Sequence, residues 1–384
     1  MTGTAGDRRW VYLDHAASTT MHPQAAAAVS AFLQQGHANP SGSHRLSRDN
    51  RRVIDEARDM VAAAVGCSPG EVVFNSGGTE GANTAVLGAV RRHGGTAVCS
   101  AAEHDAVLHP VEHVGGTVVP VTAGGVIDAA ALDDVLASGT DVSVVSVMTV
   151  NNETGALTDI ASVARTVRRR APGAVLHTDA VQAATWTDLR GVWPHVDVLT
   201  LSAHKFGGPK GIGVMVVRDG CSLEPLVFGG GQERDRRSGT QNVAGIAAAA
   251  VALGITDETR ATTVDRVAAL RRRLVDGILG AVPCAVETLP GSVPGIAHIC
   301  FEGLESESIL FLLDEHGVCV SAASACASGA MEPSHVLAAM GVPARRMSGS
   351  VRFSLGHDTT EDDIDTAVEA TVAAARRLTD GGRA

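Results

Sequence analysis

The chain has 384 residues, and its 31 basic and 42 acidic side chains give a net charge of −11 at pH 7. A composition of 45% hydrophobic and 19% charged residues excludes a disordered chain, and the negative balance argues against nucleic acid as a direct partner. The longest apolar run, residues 243–255, is too short to span a bilayer, and the first ten residues lack the apolar stretch of a signal peptide. We therefore expect a cytoplasmic protein with no membrane partner and about two domains.

Short β-branched runs alternate with amphipathic segments between residues 72 and 217. This alternation is typical of a mostly parallel sheet sandwiched by helices, which places the chain in the α/β class. In such sheets, ligands bind beyond the carboxyl ends of the strands. The predicted strands cover residues 72–74, 97–99, 118–121, 141–150, 174–178, 196–202 and 212–217.

The last third of the chain has a different pattern. After residue 253 a helical segment is followed by strands around residues 296–301 and by further helices, so we expect a domain boundary near residue 253. Thr360 and Asp363, three positions apart, predict a capping box at the start of the last helix. Helical spacing of apolar residues also predicts helices over residues 47–65, 160–170 and 308–316.

The first candidate site is a glycine-rich turn, SGGTEGAN (76–83), between a predicted strand and a helical pattern. Glycines free backbone N–H groups, and a hydroxyl at a helix start adds another donor, so the turn can hold a phosphate. The pattern is neither a Walker A loop nor a dinucleotide fingerprint, which favours a single phosphate. A turn that only caps a helix is the alternative interpretation.

Two further candidates stand at the ends of predicted strands. Asp179, in LHTDAVQ, is suited to holding a ring nitrogen protonated, with a helix N-cap as the alternative role. Lys205, in SAHKFGGPKG, follows an apolar strand, and partial burial would lower its pKa and make it a Schiff-base nucleophile. The alternative is an ordinary surface lysine. Ser202 and His204 beside it are candidate phosphate ligands.

Three histidines in EHDAVLHPVEH would suggest a metal site if they shared one face of a helix. The spacing of His104, His109 and His113 does not place them on one face, and Pro110 interrupts the run, so we predict no metal site. His104 alone is a candidate for stacking on a ring or for proton transfer, with a structural histidine as the alternative.

One of the seven cysteines differs from the others in its surroundings. The chain has no C-x-x-C pair, and most of its cysteines lie in apolar stretches, where a thiol is a small buried hydrophobe. Cys326 instead lies in SAASACASGAMEPS, a run of small and polar residues that predicts an exposed loop.

These candidates fit one cofactor when they are taken together. Pyridoxal 5′-phosphate needs a single phosphate site, a carboxylate for its ring nitrogen and a lysine for covalent attachment. Each element alone is a weak signal, but their occurrence on successive strand ends favours a pocket for this cofactor.

The sequence resembles the cysteine desulfurases of the class V aminotransferase family, in the branch typified by iron–sulfur-assembly enzymes. The context of Cys326 resembles the long-loop group of that family. One departure is Gly78, because the family more often has alanine before the threonine of this turn. The motifs that carry the resemblance are YLDHAAST (12–19), GHANPSGSH (36–44), SGGTEGAN (76–83), EHDAV (103–107), VNNETG (150–155), HTDAVQ (177–182), SAHKFGGPKGIG (202–213), RRSGTQN (236–242), SACASGAMEPSHVL (324–337) and SVRFSLG (350–356).

The resemblance implies roles for the matching positions. Lys205 would hold the cofactor, Asp179 would pair with its ring nitrogen, and His104 would stack on the ring and move protons. Cys326 would be the nucleophile, and Arg352 would bind the substrate carboxylate. The other residues that would bind the cofactor are Gly78, Thr79, Asn152, Gln182, Ser202, His204 and the partner subunit's Thr240. Asn39 and Asn152 would help Arg352 to bind the substrate.

The fold that the resemblance implies is the type I fold of pyridoxal-phosphate enzymes, with a seven-stranded sheet and a smaller α+β C-terminal domain. The large domain would cover residues 15–252, and the small domain residues 1–14 with 253–384. The implied reaction removes sulfur from L-cysteine, which gives L-alanine and a persulfide on Cys326. A homodimer would pass this sulfur to an acceptor protein docked near Cys326, for iron–sulfur cluster assembly, tRNA thiolation or DNA phosphorothioation.

Two alternatives stay open at this point. A selenocysteine lyase or a small-amino-acid aminotransferase would use the same scaffold, but a transaminase would have no use for Cys326 in an exposed loop. A non-catalytic sulfur relay or scaffold would show a degraded lysine or phosphate turn, and both are complete in this sequence.

Overall fold

The structure is a computed structural model that describes residues 9–35, 38–322 and 333–381. The strands are β1 (Val11–Tyr12), β2 (Val72–Asn75), β3 (Thr96–Ser100), β4 (Thr117–Val119), β5 (Val142–Ser146), β6 (Val175–Asp179), β7 (Val198–Ser202), β8 (Gly213–Val217), β9 (Ala285–Glu287), β10 (Ile296–Phe301), β11 (Val318–Cys319) and β12 (Ser350–Ser354). The α-helices are α1 (Pro23–Gln35), α2 (Arg45–Val65), α3 (Gly78–His93), α4 (Asp105–His113), α5 (Ala129–Ala137), α6 (Ile160–Arg170), α7 (Val243–Ala281), α8 (Ser306–Glu315), α9 (His335–Ala339), α10 (Ala344–Met347) and α11 (Glu361–Gly381).

The main sheet has seven strands in the order β2-β8-β7-β6-β5-β3-β4. All neighbours pair in parallel except β8, which is antiparallel to β2 and to β7. In every strand of this sheet except the edge strand β4, alternate residues belong to two hydrophobic clusters, as Leu199 and Val198 of β7 do, because helices cover both faces. The predicted α/β class with a mostly parallel seven-stranded sheet is therefore confirmed.

Two helices differ in detail from the sequence patterns. The helix predicted over 47–65 starts earlier, at Arg45, because the ring of His44 accepts a hydrogen bond from the amide of Ser47 and caps it. The helix α4 runs through Pro110 instead of being interrupted there. Proline removes one intrahelical donor, but the carbonyl of Ala106 that loses it accepts a hydrogen bond from Asn83 at 3.2 Å.

A second hydrophobic core lies around the three-stranded sheet β12-β10-β9 and the pair β1-β11. The long helix α7 joins the two cores, because Val243 to Leu253 pack in the first and Val267 to Ile278 in the second. The domain boundary expected near residue 253 therefore falls inside one continuous helix.

The predicted capping box is present at the start of α11. The amide of Thr360 donates to the Asp363 carboxylate at 2.9 Å, and the amide of Asp363 donates to the Thr360 hydroxyl at 3.2 Å. Within the described ranges, no helix combines the length and the apolar character that crossing a membrane requires.

Candidate active site

The ends of neighbouring strands bring most of the predicted residues into one cavity of about 210 Å³. Asp179 is the last residue of β6, Ser202 is the last residue of β7, and a short turn after Ser202 carries Lys205. Nine of the predicted residues line this cavity. The lining consists of Gly78, Thr79, His104, Ala106, Met148, Val150, Asn152, Asp179, Val181, Gln182, Ser202, His204 and Lys205.

Asp179 is a buried carboxylate at the edge of this cavity. It is 5% exposed, and one of its oxygens accepts a hydrogen bond of 2.9 Å from the amide of Val181. Burial raises its pKa, whereas this N–H and the nearby His104 and Lys205 lower it. No α-helix of the described chain starts here, so the N-cap alternative is wrong, although Asp179 does bind a backbone amide two residues on.

Lys205 is not an ordinary surface lysine. Its ammonium group donates to the carbonyl oxygens of Ala16 at 2.5 Å and Ala17 at 2.9 Å. Burial and, next, the positive charge of Arg352 lower the pKa of Lys205 to about 8, against the opposite effect of Asp179. A larger fraction of neutral amine is therefore present near neutral pH than for an exposed lysine.

The glycine-rich turn forms the start of α3 and offers the unpaired amides of a first helical turn. A β-carbon on Gly78 would lie 2.6 Å from a methyl group of Val181, so glycine is needed here while valine fills position 181. His204 lines the same cavity as this turn, and burial with the charges of Lys205 and Lys210 lowers its pKa to about 4. Its ring is therefore neutral at neutral pH.

The ring of His104 is held in place by the helix α4, which begins directly after it. Its Nδ1 accepts a 3.0 Å hydrogen bond from the amide of Ala106 and caps α4, so in the neutral ring the proton is on Nε2. The preceding Glu103 is fully buried and accepts a 2.7 Å hydrogen bond from the amide of Met148. Burial holds the pKa of Glu103 well above its ordinary value, which favours a neutral carboxyl group behind His104.

Arg352, in β12, comes from the C-terminal part of the chain and lies 4% exposed beside the cavity. It donates to the carbonyl of Asn152 at 2.8 Å and to the carboxylate of Asp14 at 2.7 Å. Its Nε is buried and has no hydrogen-bond partner in the described part of the chain. Arg352, the residue expected to bind the substrate carboxylate, therefore has one donor that the described residues leave unused.

Three predicted residues are not brought to this cavity. Asn39 is exposed, and its side chain accepts a hydrogen bond from the amide of Ser41. Thr240 is exposed and does not line the cavity of its own chain. Cys326 lies outside the described residues.

The sequence patterns missed the segment that closes one side of the site. Asp14 pairs with Arg352, and Ala16 accepts hydrogen bonds from both Lys205 and Gln182. These residues belong to the YLDHAAST motif, which gave only a resemblance. No local pattern could assign them, because two of these contacts use a backbone carbonyl that any residue type would supply.

The arrangement fits pyridoxal phosphate by its chemistry. The helix start of α3 can hold an anion, Asp179 can neutralise a protonated ring nitrogen, and Lys205 is a partly buried amine. A sequence profile of the family described as "Aminotransferase class-V" matches residues 11–367. The chain belongs to this family of enzymes, which are generally dependent on pyridoxal phosphate.

Individual relatives give a more specific comparison than the family profile does. An IscS-like cysteine desulfurase of Mycobacterium tuberculosis is 41% identical over 95% of this chain and 97% of that protein. A solved structure of a NifS-like protein has a TM-score of 0.89 and 31% identity, and covers 97% of this chain and 100% of that one. A structure described as SspA in complex with cysteine has a TM-score of 0.77 and 28% identity, over 90% and 98% of the two chains. The family expected from the sequence motifs is confirmed.

Proposed function

We propose that the protein is a cysteine desulfurase that converts L-cysteine to L-alanine and leaves the sulfur as a persulfide on Cys326. The observation that carries this proposal is the single cavity that joins Lys205, Asp179 and the start of α3, with Arg352 beside it. The relatives support the choice of substrate, since they include a cysteine desulfurase and a protein solved with cysteine.

The proposed cofactor is pyridoxal 5′-phosphate, held covalently by Lys205. When bound, it withdraws electrons from the α-carbon of the substrate and so makes the α-proton acidic. Asp179 would face its ring nitrogen, and His104 would stack on the ring. The residues proposed for its phosphate are Gly78, Thr79, Ser202, His204 and the partner subunit's Thr240, and those proposed for its phenolic oxygen are Asn152 and Gln182.

Arg352 and Lys205 would act on the substrate directly. Arg352, together with Asn152, would bind the substrate carboxylate and orient the α-carbon. Asn39 has no part in this proposal, because it does not line the cavity. Lys205, with a pKa of about 8, would be available as a neutral base for the α-proton once it is displaced from the cofactor. His104, which carries its proton on Nε2, would deliver or accept protons at the ring face.

Cys326 is the proposed nucleophile for the substrate sulfur. A bond forms between the Cys326 sulfur and the substrate sulfur while the carbon–sulfur bond of the substrate breaks, and the remaining fragment takes up protons and leaves as L-alanine. The six described cysteines support this assignment, because burial raises the pKa of each of their thiols. Raised pKa values disfavour the thiolate that the reaction needs.

The remaining proposals concern the assembly. A homodimer would explain why Thr240 is exposed and does not line the cavity of its own chain, and an acceptor protein would take sulfur near Cys326. The two hydrophobic cores support the division into residues 15–252 and residues 1–14 with 253–384. The acceptor pathway and the cytoplasmic location stay predictions.

The test uses purified protein, L-cysteine and a thiol reductant, with sulfide, alanine and the visible spectrum measured for wild type, C326A and K205A. We expect a yellow wild type whose sulfide release is lost in C326A, while the spectral change caused by cysteine persists in C326A. K205A should lose both signals. Undiminished turnover in C326A would instead favour a selenocysteine lyase or a transaminase, and a protein that stays colourless with added cofactor would favour a non-catalytic relay.

A further inference from the structure

The residues on both sides of segment 323–332, which contains Cys326, are attached to the walls of the cavity. On the N-terminal side, Ser321 pairs with Arg352 through two backbone hydrogen bonds, of 3.3 and 2.7 Å. The segment therefore leaves the described fold at the strand that carries the proposed carboxylate ligand. On the C-terminal side of the segment, Ser334 and His335 form a second attachment.

Ser334 is held by a buried carboxylate. Its hydroxyl donates to Glu153 at 2.5 Å and accepts a 3.1 Å hydrogen bond from the amide of Leu337, so it caps α9. Both Ser334 and Glu153 are only 4% exposed. Glu153 follows Asn152, which lines the cavity and accepts a hydrogen bond from Arg352 through its carbonyl. Ser334 is thus tied to the same turn that borders the proposed substrate.

His335 is tied to the other side of the cavity. Its Nε2 donates at 2.9 Å to the carbonyl oxygen of Glu103, the residue directly before His104. Apolar contacts strengthen this attachment, because Val336 of α9 and Met340 pack in one buried cluster with Ala102 and Val121. The start of α9 is therefore attached to the residue directly before His104.

We propose that Glu153, Ser334 and His335 form an anchor that positions the returning end of the Cys326 segment for transfer of sulfur. These are positioning residues, because none of them lines the cavity and each acts through the backbone or the helix that it holds. The inference rests on the proposed function, in which Cys326 receives the sulfur. It assigns to the end of the SACASGAMEPSHVL motif a task separate from that of the cysteine within it.

The geometry of the returning end sets the scale of the expected effect. In S334A and E153A the apolar contacts of Val336 and Met340 remain, so α9 stays attached but its first residues lose their fixed position. Because a misplacement of about 1 Å can slow a reaction about 100-fold, we expect persulfide formation to decrease by about 3- to 30-fold.

The experiment compares S334A, E153A and E153Q with wild type in a single turnover with L-cysteine. Persulfide on Cys326 is measured by peptide mass after rapid quenching, and the visible spectral change caused by cysteine is followed in parallel. Hydrogen exchange at the amide of Leu337 reports whether the cap is released. The matched control is D128A, which removes the side chain that caps α5 by accepting from the amides of Ala130 and Ala131.

The proposal predicts slower persulfide formation in S334A and E153A, faster exchange at Leu337 and an unchanged spectral response. E153Q keeps an oxygen that accepts from Ser334 and should recover most of the rate, and D128A should match wild type. Wild-type persulfide rates in S334A and E153A, or a spectral response that declines in step with the persulfide rate, would overturn the proposal. A wild type that forms no persulfide on Cys326 would overturn the proposed function itself and this inference with it.

Discussion

Among the buried arginines of the described chain that pair with a carboxylate, Arg58 and Arg352 differ most clearly in their surroundings. Arg58 binds both oxygens of Glu233, at 2.9 and 3.0 Å, and its guanidinium lies 5.0 Å from the ring of Phe74. The carboxylate of Glu233 also accepts hydrogen bonds from the amide of Phe74 and the side chain of Gln241. The guanidinium of Arg58 and the carboxylate of Glu233 therefore both find their partners within the protein.

Arg352 is different because its bonding capacity is only partly used. It reaches one oxygen of Asp14, whose side chain is 23% exposed, and its Nε has no partner among the described residues. A buried donor without a partner costs free energy in the unliganded protein, and a bound carboxylate would recover that cost. From this difference we expect the complete pair to stabilise the fold, and we propose that the incomplete pair leaves a donor for a ligand.

The complete pair also supports an unusual turn. Glu233, Arg234 and Asp235 all have positive φ angles, between 48° and 63°, which side chains other than glycine rarely adopt. The turn precedes the segment that contains Thr240, which we propose to reach the cofactor of the partner subunit. The contacts of Glu233 therefore hold in place a conformation that the local sequence does not favour.

The largest effect is a loss of stability in E233Q, because this variant leaves the charge of Arg58 buried without a counter-charge. Removal of one partner from such a pair costs about 3–5 kcal/mol of unfolding free energy. Urea unfolding, followed by circular dichroism, measures this loss. The control is E361Q, which breaks the exposed pair with Arg273 and should cost at most about 1 kcal/mol. Equal losses in the two variants would contradict the structural role of the complete pair.

Substitution of Arg352 should cost less unfolding free energy than E233Q does. It should instead cause a specific loss of activity. R352Q should reduce kcat/KM for L-cysteine by about 100-fold, since a charged hydrogen-bond donor to the substrate is removed. R352K should fall between R352Q and wild type, because lysine keeps the charge but not the planar fork. Steady-state kinetics measure this effect, and urea unfolding should show a smaller loss than for E233Q. A kcat/KM that stays unchanged in R352Q would show that the free donor is not used.

The smallest effect concerns the reactivity of Lys205 in protein freed of cofactor. Burial and the charge of Arg352 lower its pKa to about 8, so its reaction with an amine-directed reagent should rise with pH around a midpoint near 8. The proton is lost as the pH rises, and only the neutral amine reacts, which fixes the direction of the change. In R352Q the midpoint should move up, toward the ordinary value for lysine.

Peptide mass after pulse labelling gives this profile without interference, because the chain contains only two lysines, Lys205 and Lys210. Lys210 provides the comparison within each sample. A midpoint that is the same in R352Q and wild type would mean that burial alone lowers the pKa.

Local sequence patterns were sufficient for the sheet and for the residues at its edge. The apolar runs that predicted β6 and β7 place Asp179 and the turn with Lys205 at the ends of two successive strands without any knowledge of the fold. The predicted helix over 160–170 agrees with α6 residue for residue. These features depend on periodicity and on turn residues, which a single sequence displays.

The contacts that complete the site could not be predicted in this way. Asp14 and Arg352 are 338 residues apart, and their pairing depends on how the two cores are joined. The carbonyl groups that accept hydrogen bonds from Lys205 belong to alanines, whose side chains carry no signal. The unused Nε of Arg352 is a property of packing, so only the structure can reveal it.

The helix α7 also has a consequence for how the protein unfolds. Its 39 residues span roughly 58 Å at about 1.5 Å per residue, and each half supplies buried side chains to a different core. Unfolding of either core would expose the apolar residues of one half of α7 to water. Because α7 joins the two cores, we expect them to lose structure as one cooperative unit.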